Sequence, residues 1–144
     1  LRIYVGGQED SYQKALQQKQ LDIFMNPELT RKKDHLHWRS SGLHPVLLTL
    51  AKNRNVAIGF GLHALLQAKG EQRAVLLGRM MQNVRLCRSY KIRMVLCSFA
   101  KDIYGLRGAS DLQSFGRVLG MTPQEIKMAL DYRPHTTGVR LLSS

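Results

Sequence analysis

Short apolar runs alternate with longer stretches of helical spacing along this 144-residue chain. Arg2 to Val5 alternates polar with apolar and stops at Gly6-Gly7, which predicts a strand and its exit turn. Asp10 to Lys19 is polar but carries Tyr12, Ala15, Leu16 and Lys19 at helical spacing. Leu21 to Met25 predicts a second short strand, halted by Asn26-Pro27. Thr30 to Ser41 predicts a basic loop. Pro45 suits the first turn of the next helix, where its missing N–H would have no partner anyway. That helix runs to about Asn53 and turns Val46, Leu47, Leu50 and Ala51 inward.

Val56 to Phe60 is apolar throughout, as parallel strands covered on both faces are. Leu62 to Gln67 predicts a short helix closed by Gly70. Glu71 to Tyr90 is the longest predicted helix, with Leu77, Met80, Val84 and Cys87 as its apolar stripe. Arg93 to Cys97 predicts a further buried strand. Ser110 is the expected N-cap of a helix through Leu119, ended by Gly120. Thr122-Pro123-Gln124-Glu125 combines an N-cap, a first-position proline and a third-position glutamate, and opens a helix to Leu130. Val139 to Leu142 is a weaker last strand. Strands alternating with helices argue for an α/β fold, a mostly parallel sheet of about five strands under covering helices. That is too few strands to close an eight-stranded barrel; a short doubly wound sheet satisfies the same pattern. No interdomain linker is visible, so residues 1–144 read as one domain.

Composition narrows the class. Hydrophobic residues make up 44 %, enough for a real core, which excludes global disorder. No apolar run approaches the roughly 18 residues that span a bilayer. The start at Leu1 reads as a strand and not as a signal peptide. Cys87 and Cys97 fall at buried-type positions, read as small core residues, and match no zinc spacing. The chain therefore reads as cytoplasmic, with no membrane partner.

Charge changes the picture most. The net charge is +12 and the pI near 10.2. Between His35 and Lys101 stand eleven Lys/Arg residues and one acidic residue, Glu71. A surface so cationic repels itself, so its regional concentration points to a polyanionic partner, nucleic acid above all. Arginine suits this role because its planar fork meets two phosphate oxygens at once.

Candidate chemistry is sparse. His35 and His37 stand two apart, and with Asp34 they form the most enzyme-like group. The cations around them, Arg31, Lys32, Lys33 and Arg39, oppose a bound metal. Trp38, beside Arg39, either stacks on an unpaired base or folds the loop back onto the core. Gly59-Phe60-Gly61 is too short for a dinucleotide fingerprint and reads as a strand-end turn. Arg107 lies in the loop after the Arg93 to Cys97 strand, where it either contacts a ligand or caps its own loop. No P-loop, nucleophile elbow or serine triad is present, and no paired carboxylates are apparent.

An ordered series of residues resembles the archaeal ribonuclease P protein component 3 family. It comprises Asp22-Ile23, Pro27-Glu28-Leu29-x-Arg31-Lys32, Val56 to Phe60, Leu65-Leu66, Glu71-x-Arg73-Ala74 and Met80-Met81. It continues through Tyr90-Lys91, Ser98-x-Ala100, Leu106-Arg107, Asp111-Leu112 and Val118-Leu119-Gly120-Met121. The resemblance implies a TIM-barrel-like fold and a subunit of a ribonucleoprotein that matures the 5′ ends of precursor tRNA. In that particle the RNA is the catalyst, so no catalytic residue, metal or cofactor is expected here. Arg31, Lys32, Trp38, Arg39, Arg79, Arg85, Arg88 and Arg107 are the candidates for RNA contact. The implied partners are the ribonuclease P RNA, precursor tRNA and other protein subunits, a small sheet-containing one among them.

Two departures accompany the resemblance. Family members are longer by about two or three strand–helix units at the amino end, so the barrel is expected to be truncated here. An open edge at Arg2–Val5, or at a neighbouring strand, then predicts self-association as a homodimer, or pairing with another subunit. The family's short Arg-Lys-Asp-x-Gly-x-x-His loop is also expanded, with His35 to Ser41 before Gly42-Leu43. Pro45 then holds the family's histidine position, and His44 stands one residue early. The rival readings are a metal-dependent phosphoesterase using Asp34, His35 and His37, and a pure assembly scaffold.

Overall fold

The computed structural model describes residues 1–7, 9–18, 20–133 and 140–142. The strands are β1 (Arg2–Val5), β2 (Ile23–Met25), β3 (Ala57–Gly61), β4 (Met94–Cys97) and β5 (Arg140–Leu142). The helices are α1 (Tyr12–Gln17), α2 (Pro45–Asn53), α3 (Leu62–Gln67), α4 (Gly70–Tyr90), α5 (Ala109–Val118) and α6 (Pro123–Leu130).

All strand pairs are parallel, in the order β4-β3-β2-β1-β5. β1 to β4 lie side by side in chain order, joined by segments that carry helices, which is the winding of a barrel sector. β5 returns to the far side of β1, with Ile3 opposite Leu141. β1 is therefore paired on both sides, and the open edge passes to its neighbour β5; among the described strands, β5 and β4 have the unpaired outer edges.

Alternate residues of the strands feed two apolar layers. Phe24, Ile58, Phe60 and Leu96 face the helices and pack with Leu16, Leu47, Leu48, Met80, Val84 and Phe115. Ile3, Ile23, Met25, Ala57 and Val95 form the layer on the opposite face. Burial on both faces explains why β3 has no polar position.

Four local expectations shift. In α2, Val46 is 59 % exposed and Leu48 takes the buried place beside Leu47 and Ala51, with Leu50 only half-buried. The helix docks one residue round from the predicted face. In α4 the buried line starts at Leu76, not Leu77, and includes the polar Arg79 and Asn83. α5 begins after Gly108, so Ser110 sits in its first turn and is not the cap. A 3-10 turn, Glu9–Ser11, precedes α1 and shortens the helix predicted from Asp10. The capping box of α6 forms as read: Thr122 Oγ1 accepts from the Glu125 N–H at 3.2 Å, and Glu125 Oε2 accepts from the Thr122 N–H at 2.8 Å. Cys87 and Cys97 are free thiols. Lys19 and Val139 lie outside the described residues.

Candidate nucleic-acid interface

The basic loop leaves the carboxyl end of β2 and is strapped to one face of α4. Arg79 is only 7 % exposed. Its Nε donates to Asp34 Oδ1 at 2.8 Å, and its Nη2 approaches the same oxygen at 2.7 Å. Its remaining N–H groups reach the carbonyls of Glu28, Thr30 and Lys32 at 3.3, 3.2 and 2.6 Å. Three and four residues on, one turn further along the same face, Gln82 donates to the Arg39 carbonyl and the Ser41 hydroxyl, and Asn83 to the Ser41 carbonyl. The loop's backbone carbonyls, which water would otherwise satisfy, are held by a helix more than forty residues away in sequence.

Beneath the strap lies Glu28, fully buried. Burial pushes its carboxyl up to about 8, against its own backbone N–H, the Asn83 amide and the Arg79 charge, which all pull it down. Its Oε2 accepts from Asn83 at 3.3 Å, while Oε1 has no partner. Gly42 closes the loop at φ +81, where a Cβ would run into the Pro27 carbonyl. Only glycine makes that return.

What the strap holds out to solvent is cationic. Arg31, Lys32, Lys33 and Arg39 are all exposed. The Arg39 guanidinium lies against the backbone of α4 at Gly78, where a Cβ would sit 2.5 Å from Arg39 Cζ. Arg39 also pairs with Asp34 at 3.5 Å, so the loop's one carboxylate is shared by two guanidiniums. Arg85, seven residues past Gly78, lies almost on the same line of the helix surface and is exposed. Among the described residues, no protein hydrogen bond or ion pair engages the side chains of Arg31, Lys33 or Arg85. A groove of about 920 Å³ runs between the loop and α3–α4, lined by Arg31, Lys32 and Lys33 on one wall and Gln67, Glu71 and Gln72 on the other.

At the loop's tip Trp38 does not fold back onto the core. It is 59 % exposed and stacks on His35, ring centroids 4.1 Å apart and 15° from parallel.

The other candidates are placed differently. Arg79 is a buried clamp. Arg88 is anchored to α6: its Nε and Nη2 grip Glu125 at 2.8 Å each, and Nη2 also reaches the Gly120 carbonyl. That guanidinium holds Glu125 down at about 2. Arg107 caps its own loop through the Tyr104 and Leu106 carbonyls, at 3.0 and 2.9 Å. Its neighbours Ile103, Tyr104 and Leu106 are exposed. Thus Arg31, Lys32, Trp38, Arg39 and Arg85 share the face around the basic loop, while Arg88 and Arg107 stand on other elements. The RNA-contact candidates read from sequence leave out Lys33, legible in the Arg31-Lys32-Lys33 run, and Gly78, whose use is invisible without the loop above it.

Asp34 is committed to Arg79, Arg39 and the Ser40 N–H, 2.9 Å away. It does not join His35 and His37 as a metal ligand, and among the described residues no three His, Cys, Asp or Glu side chains gather to hold an ion. No described helix is long and apolar enough to cross a membrane.

Residues 3–138 match the family model described as RNase P subunit p30. Ribonuclease P protein component 3 of Methanosarcina mazei is 34 % identical over 90 % of the chain and 51 % of its own length. The protein of the same name from Thermococcus gammatolerans is 31 % identical over 96 % of the chain and 62 % of its own length. The chain thus spans about half the length of the Methanosarcina relative. Among solved structures, a chain of an archaeal ribonuclease P bound to mature tRNA superposes with a TM-score of 0.76, at 29 % identity, over 88 % of this chain and 52 % of that one. The likeness makes the parallel sheet and its helices a TIM-barrel-like α/β fold. With the match running over nearly its whole length, the chain belongs to the RNase P subunit p30 family.

Proposed function

We propose that this chain works as one domain, as a protein subunit of ribonuclease P. It binds the catalytic RNA through the basic loop and supports 5′ maturation of precursor tRNA in the cytoplasm. The observation that carries the reading is the loop itself. Arg31, Lys32 and Lys33 are exposed on a backbone fixed by Arg79, Gln82 and Asn83, Arg39 is seated against α4, and Arg85 is exposed further along that helix. Fixed cations meet phosphates without first losing loop entropy, so the face is preorganised for a polyanion. The relatives' names and the tRNA-bound ribonuclease P neighbour support the choice of RNA. The Asp34 ion pairs weigh against the phosphoesterase alternative.

Other protein subunits belong to the same proposal. The exposed Ile103, Tyr104 and Leu106 after β4 supply apolar contact area for one of them. A homodimer would not pair through β1, which β5 covers, but through the outer edge of β5 or of β4. Light scattering at micromolar concentration tests it.

The direct test is competition. The chain is expected to shift its cognate ribonuclease P RNA in a gel at a concentration at which an unrelated structured RNA of equal length stays free. Equal binding to both would leave only a general polyanion binder.

A further inference from the structure

We propose that the tip of the basic loop, His35–Leu36–His37–Trp38, is a platform for one unpaired nucleobase of single-stranded RNA. The inference rests on the RNA-binding reading above and narrows it to a form of RNA and a mode of contact.

Three observations carry it. First, an indole and an imidazole are already stacked, at 4.1 Å and 15°, on a loop whose Trp38 remains 59 % exposed and whose Leu36 is 91 % exposed. Apolar and aromatic groups held in water beside cations are what a base with two π-faces and a phosphate on each side can use.

Second, the tip is built, not merely left out in solvent. The His35 N–H donates to the Trp38 carbonyl at 2.9 Å, which closes the turn. Directly below, Ser40 ties both arms of the loop: its N–H donates to Asp34 Oδ1 at 2.9 Å, and its hydroxyl to the Lys33 carbonyl at 2.7 Å. Asp34 is in turn held by buried Arg79. A base that docks on Trp38 therefore need not order the loop first.

Third, the surrounding charge selects the partner. Arg31, Lys32, Lys33 and Arg39 flank the tip, and the only carboxylate among them is neutralised by two arginines. That favours a phosphate chain over an acidic peptide, which would bring side chains with no ring to stack. It favours a single strand over a helix, because bases within a duplex already cover one another's faces.

Trp38 is the only tryptophan, so its emission reports this site alone. The parent protein is titrated with a single-stranded oligoadenylate and, separately, with a duplex RNA of the same number of phosphates, at one salt concentration. The single strand is expected to quench Trp38, and the duplex to leave it nearly unchanged. By anisotropy of labelled oligoadenylate, Trp38→Ala should weaken binding roughly ten-fold or more, while Trp38→Phe recovers most of it. Equal quenching by single strand and duplex would overturn the platform. So would a Trp38→Ala protein that binds oligoadenylate like the parent, or a blue shift with phosphatidylserine vesicles and no quenching by oligoadenylate. That last result would assign the tip to a lipid surface. Failure of the platform is separable from failure of the wider reading: Trp38→Ala binding both oligoadenylate and ribonuclease P RNA normally removes the platform alone.

Discussion

Arg79 shows how one side chain couples stability to the proposed interface. Its guanidinium answers three carbonyls and Asp34 from a nearly buried position. Replacing it by alanine strands those acceptors and frees a carboxylate on the proposed binding face. Arg79→Ala is expected to cost about 3 kcal/mol and to weaken RNA binding through the loosened loop, read by thermal melting and gel shift. Arg79→Lys should recover little of either, because an ammonium cannot span the fork. Glu28 makes the neighbouring case. Its folded carboxyl titrates near 8, against an ordinary 4.5, so between those values the folded state keeps a proton that the unfolded state has released. Stability must then fall as pH rises through that window. Melting temperatures of the parent and Glu28→Gln, compared from pH 5 to 8, should diverge in favour of the amide as pH rises. Parallel curves would mean that Glu28 is ionised in the fold. The sequence could not announce either residue. A polar side chain at helix spacing reads as solvated until its partners are known, and here the partners sit 45 and more positions away.

At the scale of elements, the sheet was legible and the helix faces less so. Strands covered on both sides are apolar at every position, so β2, β3 and β4 announce themselves. A helix declares only a direction of burial, and an error of one residue turns it by about 100°. Val46 and Leu77 were read inward for that reason, while Leu48 and Leu76 fill the core. The cationic run in residues 31–39 was plain from composition. Its strap to α4 was not, because a glycine at position 78, in mid-helix, carries no local signal of the guanidinium lying on it. Gly78→Ala separates the two roles. Helix propensity alone should stabilise α4 by up to about 1 kcal/mol, and the flexible Arg39 side chain can move aside. The expected result is an equal or higher melting temperature together with weaker RNA binding, as Arg39 loses its seat. Unchanged binding would show that the seat has no part in the interface.

Taken whole, the molecule is a TIM-barrel-like sheet with a net charge of +12 and a loop, strapped to α4, that concentrates cations at one sheet end. Folding does not need Arg31, Lys33 or Arg85, since none of these side chains bonds to protein among the described residues. Their shared place on one face has a reason only if phosphates come to it. The sharpest measurement is therefore the salt dependence of binding to ribonuclease P RNA, for the parent and for the triple variant Arg31→Ala, Lys33→Ala, Arg85→Ala. Each phosphate contact adds about one unit to the slope of log affinity against log salt. The triple variant should melt like the parent, bind more weakly, and show a slope shallower by about two to three. An unchanged slope in a folded triple variant would contradict the account and move the interface elsewhere on the molecule.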